Sequence, residues 1–324
     1  MFKVAKFHVI LTDRAWPDAD VERKILGEID AELIETDGPQ DALKEAANAD
    51  AIGTCWAPIG KDIVDATQKC RVISRFGIGL DNIDVATATA RNILVTNVPD
   101  YCVDEVSDHA LAMLLTCVRK IAFYDQRIHN GEYRLQAGPP LRRLRGQTLG
   151  LVGFGNTARA LREKALALGL HVIAFTPSGN DHGSGCEMVA LEDLLQRSDY
   201  VSLHAPYKSE TEHLMNADTF AQMKSSAYLI NTSRGGLVDQ DALATALEDE
   251  KLAGAALDVF TPEPPDLQHP IFHDERVIAT PHAAFLSEES LQELRTRAAR
   301  QIVAVLSGER PENIINPEVW TDKN

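Results

Sequence analysis

The chain of 324 residues is poor in cysteine and in positive charge, and it has no long apolar run. Its five cysteines (55, 70, 102, 117 and 186) are odd in number and none falls in a Cys-x-x-Cys pair. That excludes a disulfide framework and a zinc ribbon and fits a reducing cytosol. Lysine and arginine number 32 against 48 acidic residues, a net charge of -16. Such a surface repels phosphate backbones and anionic lipid, so neither nucleic acid nor a membrane is an expected partner. Lys3 and Lys6 precede an apolar run that stops at Leu11, before Thr12-Asp13-Arg14. This is too short for the apolar part of a signal peptide, and no later segment approaches the roughly 18 apolar residues of a membrane span. A cytoplasmic protein is expected. No tandem repeat and no low-complexity stretch is found. What remains is 44% hydrophobic and 25% charged, ordinary for a folded chain and, at about 150 residues per domain, material for roughly two cores.

Two series of short apolar runs and helical stretches carry the organisation. Apolar β-rich runs occur at 7–11, 31–35, 50–54, 71–74 and 93–96, with Val21, Ile25 and Ile29 recurring every four residues between the first two. Near-continuous apolar strands separated by helices imply a parallel sheet covered on both faces. Residues 104–130 then read as one long helix with Val106, Ala110, Met113, Leu114, Cys117 and Ile121 along a stripe, stopped at Gly131. After a loop at 136–147 a second series begins: strands at 148–153, 171–175, 199–203, 227–231 and 253–257, helices at 157–168, 190–197 and 239–250. The Pro-rich stretch 261–270 is a loop, and a last helix at about 287–307 ends at Gly308. The fold class is α/β, with two parallel-sheet domains.

The strand at 148–153 leads straight into Gly153-Phe154-Gly155-Asn156-Thr157-Ala158, and an amphipathic helix follows. Gly-x-Gly-x-x-Ala in that context is a dinucleotide fingerprint. Gly153 makes the tight turn, Gly155 admits a pyrophosphate to the backbone, and Ala158 keeps helix and strand close. The helix N-terminus, with Asn156 and Thr157 in its first turn, offers N–H groups to the anion. The next strand should end on the residue that meets the adenosine ribose. An acid there would mark NAD, but the position holds Thr176, followed by Pro-Ser-Gly-Asn. No Arg or Lys is present to balance a phosphate, so NAD is favoured over NADP without the usual carboxylate.

Further motifs stand in order along the chain: Arg75-Phe76-Gly77-Ile78-Gly79-Leu80-Asp81-Asn82-Ile83-Asp84, Asn231-Thr232-Ser233-Arg234-Gly235-Gly236, Ala256-Leu257-Asp258-Val259-Phe260-Thr261-Pro262-Glu263-Pro264 and Thr280-Pro281-His282-Ala283. Together with the fingerprint they resemble the D-isomer-specific 2-hydroxyacid dehydrogenases, over residues 50 to 285. The resemblance implies a Rossmann NAD-binding domain, 104–285, inserted into a flavodoxin-like substrate domain made of 1–103 and 286–324. It also implies a homodimer joined through the helix 104–130. At the matching positions it implies three catalytic residues. Arg234 binds the substrate carboxylate and polarises the 2-oxo group, His282 is the acid/base, and Glu263 holds and charges the imidazole. Asp258 then faces the nicotinamide amide, Thr232 and Ser233 line that pocket, and His204-Ala205-Pro206 passes the adenosine. Backbone N–H groups around Gly77, Ile78 and Gly79 take the rest of the carboxylate, and Phe76 joins them as a substrate residue.

The chemistry asks for these residue types. A 2-oxo acid needs a cation for its carboxylate, a hydride source and a proton donor at the carbonyl oxygen. Arginine offers a two-pronged fork that lysine lacks, and histidine delivers a proton near neutral pH, more so beside a carboxylate. Taken singly, Arg234 reads as a surface arginine, Glu263 as a solvated acid and His282 as a strand-end cap; the set in order does not. Other features are weaker. His269 and His273 have metal-pair spacing but Pro270 between them, so no metal site is read. Arg142, Arg143 and Arg145 form a solvated basic loop, Cys102 carries no mark of an activated thiol, and Trp56 reads equally as pocket lining or rim. Departures from the family pattern are Thr176, Ala158 and Asp108. Two other activities share the fold: an NAD-responsive binding protein like the C-terminal-binding-protein corepressors, and a phosphite-type dehydrogenase. The Glu at 263 counts against a formate enzyme, which carries an amide there.

Overall fold

The computed structural model describes residues 6–138 and 140–321. Lys3, residue 139 of the expected loop and the outermost ends of the expected substrate domain lie outside the described residues. The chain divides into two units, Met1–Tyr101 with Ser287–Asn324, and Cys102–Leu286.

In the first unit β1 (Phe7–Leu11), β2 (Ala31–Glu35), β3 (Ala51–Thr54), β4 (Val72–Arg75) and β5 (Leu94–Thr96) form a wholly parallel sheet in the order β2-β1-β3-β4-β5. That is the flavodoxin-like order. β3, β4 and β5 are buried along their whole length. Helices α1 (Asp20–Leu26), α2 (Pro39–Glu45), α3 (Lys61–Ala66) and α4 (Val85–Ala90) connect them. The last helix of the chain, α11 (Glu288–Ser307), returns to this unit and buries Leu294, Ala298, Ile302 and Val305. Its start is set by a reciprocal cap: Ser287 Oγ accepts the Ser290 N–H, and Ser290 Oγ accepts the Ser287 N–H. One of its arginines is not a solvated residue. Arg295 is buried and holds Glu22 at 2.9 Å.

In the second unit β6 (Thr148–Val152), β7 (His171–Phe175), β8 (Glu187–Met188), β9 (Tyr200–Leu203), β10 (Tyr228–Asn231), β11 (Gly254–Leu257) and β12 (Val277–Ala279) form a parallel sheet in the order β12-β11-β10-β9-β6-β7-β8. Counted from β6 this is the Rossmann order with a seventh strand added, and the order reverses between β6 and β9, where such sheets bind ligands. The helices are α5 (Val103–Arg119), α6 (Ile121–His129), α7 (Asn156–Ala167), α8 (Leu191–Arg197), α9 (Ala217–Gln222) and α10 (Gln240–Glu248).

The expected single helix over 104–130 is two. Lys120 adopts the left-handed conformation, and its N–H closes back on the Cys117 and Thr116 carbonyls, ending α5. Ala110, Met113, Leu114 and Cys117 are buried as the stripe requires, whereas Ile121, taken as its continuation, is exposed. Apolar spacing reports which face can be buried and is blind to one left-handed residue. β8, β12 and α9 are too short for periodicity to show. The signal for α9 was local: Asn216 caps the Asp218 and Thr219 N–H groups.

The register places function. Val152 pairs with Phe175 and Leu203, Asn231 with Leu203 and Leu257, and Leu257 with Ala279. The residues that follow those strands (Gly153, Thr176, His204, Thr232, Asp258 and Thr280) therefore all emerge at the carboxyl edge of one sheet.

Candidate active site

The Gly-rich turn has the shape an anion needs. Gly153 sits at φ +95°, and a Cβ there would lie 2.5 Å from the His204 carbonyl carbon, so only glycine fits. A Cβ on Gly155 would meet nothing within 4 Å, and no side chain caps the helix that Gly155 starts. The first N–H groups of α7 thus open onto clear space, while Ala158 is fully buried and keeps α7 close to the sheet. Asn156 Oδ1 accepts from Arg159 at 2.6 Å, and Thr157 is half-buried in the same turn. The Thr232 hydroxyl is buried and has no partner among the described residues, which suits a polar ligand. These residues fit a dinucleotide: the turn and α7 for the pyrophosphate, Thr176 for the ribose, and Thr232 with Ser233 further along the edge. When bound, a nicotinamide cofactor supplies the hydride. Thr176 Oγ1 lies 3.3 Å from Ser178 Oγ, and between Thr176 and Cys186 there is neither Lys nor Arg. His204 Nε2 bonds Ser202 Oγ at 2.9 Å, and burial draws its pKa down to about 4, so the ring is neutral. Ala205 O accepts from Ser233 Oγ at 2.7 Å, and Pro206 O from Thr211 Oγ1 at 2.8 Å.

Arg234 is placed by a turn built from its own neighbours. Asn231 Nδ2 donates to Arg234 O at 2.9 Å, and Asn231 Oδ1 accepts the Ser233 N–H at 3.0 Å. The next two residues must be small: a Cβ on Gly235 would lie 2.0 Å from the Phe260 carbonyl group, and one on Gly236 would lie 2.6 Å from the Tyr207 ring.

Nineteen residues apart in sequence, Glu263 and His282 meet, Oε2 to Nδ1 at 2.7 Å. The second oxygen of Glu263 accepts the Phe260 N–H at 2.8 Å. Burial raises the Glu263 pKa, but the bond and charge of His282, the Phe260 N–H and the nearby charge of Arg234 outweigh it, and the net shift is downward. Glu263 is therefore a carboxylate that feels both His282 and Arg234. Phe285 packs edge-on against the imidazole at 6.1 Å.

Asp258 is fully buried and its carboxylate turns inward, accepting the Ala283 and Ala284 N–H groups at 2.9 Å each and the Thr280 hydroxyl. Its own carbonyl takes the His282 N–H at 2.7 Å. The residue thus anchors the segment that carries His282, a use the sequence did not signal. Thr280 was part of a recognised motif without a role, and His109, beside it, was not singled out at all. Of the histidines weighed for metal, His269 bonds Asp241 at 3.1 Å and caps the Ile271 N–H.

In the first unit, Phe76–Gly79 has its carbonyls consumed. Arg75 holds Phe76 O and Gly79 O, Asn97 holds Ile78 O at 2.8 Å, and Val98 holds Gly77 O at 3.1 Å. The Phe76 N–H is given to Thr54 O at 2.8 Å, against the expectation that Phe76 serves the substrate, so the N–H groups of Gly77, Ile78 and Gly79 are what remain for an anion. Trp56 is 44% exposed, its backbone N–H held by Asp13 at 2.6 Å.

With this geometry in place, the comparisons with known proteins are informative. The family described as D-isomer specific 2-hydroxyacid dehydrogenase, NAD binding domain, matches residues 111–284. A glyoxylate reductase of Korarchaeum cryptofilum is 36% identical over 268 residues, 81% of each chain. The chain belongs to the D-isomer-specific 2-hydroxyacid dehydrogenases. Among solved structures of similar fold is the D-lactate dehydrogenase from Aquifex aeolicus complexed with NAD and lactic acid, at TM-score 0.87 and 27% identity, covering 95% of this chain and 99% of that one. Another is an NADPH-dependent glyoxylate/hydroxypyruvate reductase from Sinorhizobium meliloti in complex with NADP and malonate, at TM-score 0.87 and 27% identity, covering 96% and 97%.

As a member of this family the protein is an oxidoreductase that moves hydride between NAD(H) and a small D-2-hydroxy acid or its 2-oxo partner. Both NAD and NADP complexes occur among its structural neighbours. Among the described residues no helix is long and apolar enough to cross a membrane.

Proposed function

We propose that the protein reduces glyoxylate or hydroxypyruvate, with 3-phosphohydroxypyruvate as the larger alternative, using Arg234, Glu263 and His282. The observation that carries this reading is the Glu263–His282 pair beside the charge of Arg234. Arg234 takes the substrate carboxylate and draws electron density from the 2-oxo group. With Nδ1 committed to Glu263, Nε2 of His282 gives its proton to the carbonyl oxygen while a hydride adds to the carbon, so the C=O π bond becomes one C–H and one O–H bond. Thr232 and Ser233 line the nicotinamide end, and Gly153, Gly155, Asn156, Thr157 and Thr176 the adenosine diphosphate end. The name of the Korarchaeum relative supports glyoxylate. Ile121 and Ile128 on α6, and Leu135 beyond it, are more than half exposed, which supports a second copy of the chain as the covering partner. An odd number of cysteines with no Cys-x-x-Cys pair supports a reducing, cytoplasmic setting.

The test is loss of reduced-nicotinamide absorbance with glyoxylate and with hydroxypyruvate, for the wild type, Arg234→Ala and His282→Ala. Turnover abolished by both substitutions, with NADH binding retained, is the expected result. Wild-type rates in either variant overturn the assignment.

A further inference from the structure

We infer that His109 is a positioning residue for His282, acting through Thr280 and Asp258. The inference rests on the assignment of His282 as the acid/base. His109 Nε2 lies 3.0 Å from Thr280 Oγ1, and the Thr280 hydroxyl donates to Asp258 Oδ1. A hydroxyl has one proton, and here it is given to Asp258 Oδ1. Nε2 of His109 is therefore the donor to Thr280, which fixes its tautomer. The same Nε2 is 3.6 Å from Asp258 Oδ1, a carboxylate with no exposed surface. Burying such a charge is unfavourable unless donors surround it.

Among the described residues the carboxylate's other contacts are the Ala283 and Ala284 N–H groups, and the Asp258 carbonyl holds the His282 N–H. Asp258 thus grips three consecutive residues of the segment that presents the imidazole. That segment needs a grip, because His282 sits at φ +53°, a left-handed conformation that a non-glycine residue keeps only when its surroundings impose it. His109 belongs to α5, which is anchored in the core by Ala110, Met113 and Leu114. The path runs from a fixed helix, through one hydroxyl and one carboxylate, to the backbone on both sides of the reacting imidazole. Remove the Nε2 donor and Thr280 can turn away, Asp258 loses support, and the left-handed residue can relax.

The experiment uses the full chain with glyoxylate and NADH and compares His109→Leu, His109→Gln, Thr280→Val, the His109→Leu/Thr280→Val double variant and His282→Ala. It reads kcat, KM, the NADH Kd by fluorescence titration, the isotope effect with 4-deuterated NADH, and the thermal midpoint. Displacing a catalytic group by a fraction of an ångström should lower kcat about tenfold in His109→Leu, with KM and Kd within about twofold. The isotope effect should rise as the chemical step becomes limiting. Glutamine, which keeps a donor at the Nε2 position, should recover kcat to within about threefold of wild type. Thr280→Val should match His109→Leu, and the double variant should be no slower than either, since both cut one path. Wild-type kcat in His109→Leu overturns the inference, as do a glutamine variant as slow as leucine, losses that multiply, or a kcat loss that appears only with a fall in midpoint. If the leucine variant does not fold, His109→Asn, whose amide is too short to reach Thr280, replaces it against His109→Gln. His282→Ala separates the two levels: full activity there sinks the acid/base assignment, whereas its inactivity beside an unaffected His109→Leu sinks only the positioning role.

Discussion

Glu263 holds His282 Nδ1 at 2.7 Å with one oxygen and the Phe260 N–H at 2.8 Å with the other, so the carboxylate is fixed at both ends. Burial works to neutralise it, but the imidazole, the N–H and the charge of Arg234 prevail and hold its pKa below the ordinary 4.5. A carboxylate that is ionised and cannot swing presents a fixed negative charge to the ring and holds it in one orientation. The pair is a charge device and an orienting device at once.

Glu263→Gln separates those two parts. The amide keeps the shape and loses the charge, so kcat/KM for reduction should fall about 10- to 100-fold at neutral pH. The sign at the acid end follows from the depressed Glu263 pKa. Its interaction with His282 is complete above 4.5 and is lost only as pH falls through the lowered value, so Glu263 should add no step to the wild-type profile above 4.5. Wild-type kcat/KM in the variant would refute the charge role.

Two glycines should fail in opposite ways. A Cβ on Gly235 would lie 2.0 Å from Phe260 backbone atoms, which cannot move without disturbing the loop to Glu263. Gly235→Ala should destabilise by about 2 kcal/mol or more, roughly 4–8 °C in midpoint, and lose activity with it. Gly155→Ala meets open space. It should leave the midpoint within about a degree and weaken NADH binding about tenfold, because the methyl occupies the approach of the pyrophosphate. Calorimetry and NADH titration on both variants check the contrast, and equal loss of stability would contradict it.

The long-range order was legible because burial writes itself into period. A strand buried along its whole length, such as β11, appears as an apolar run, and the Gly153 turn between β6 and α7 names its own ligand. The meeting of Glu263 and His282 was not readable from spacing; only the resemblance to a family suggested it. Asp258 shows the limit most clearly. Its letter is compatible with many roles, and the one the structure displays depends on three donors contributed by Thr280, Ala283 and Ala284, a role that the motif around His282 does not state. His109 lay on a helix read only for its apolar stripe. The break at Lys120 depends on one backbone conformation that side-chain polarity does not encode.

His204 links stability to pH. Burial draws its pKa from 6.5 to about 4, so the folded state disfavours the charged ring. The neutral ring's stability is intact above 6.5 and drains as pH falls from 6.5 towards 4, by up to about 3 kcal/mol at roughly 1.4 kcal/mol per unit. His204→Gln keeps a partner for Ser202 without titrating. Urea melts at neutral and acid pH should show that the difference between wild type and this variant shifts in the variant's favour on acidification. A constant difference would refute it.

We propose that cofactor choice rests on Thr176, the residue after β7. A carboxylate there would accept from both ribose hydroxyls and repel a 2′-phosphate, whereas a lysine or arginine would attract one. Thr176 does neither strongly: its hydroxyl sits 3.3 Å from that of Ser178, and the stretch to Cys186 holds no Lys or Arg. Wild type should therefore prefer NADH only modestly, about tenfold or less in kcat/KM, because the phosphate is left without compensation yet is not opposed by a fixed charge. Thr176→Asp should widen that preference about tenfold, chiefly through a higher KM for NADPH, as like charges meet. Thr176→Arg should narrow or reverse it by supplying the missing cation. Steady-state kinetics with both cofactors at fixed ionic strength decide the matter. If the aspartate and arginine variants leave the ratio unchanged, the ribose lies elsewhere than Thr176.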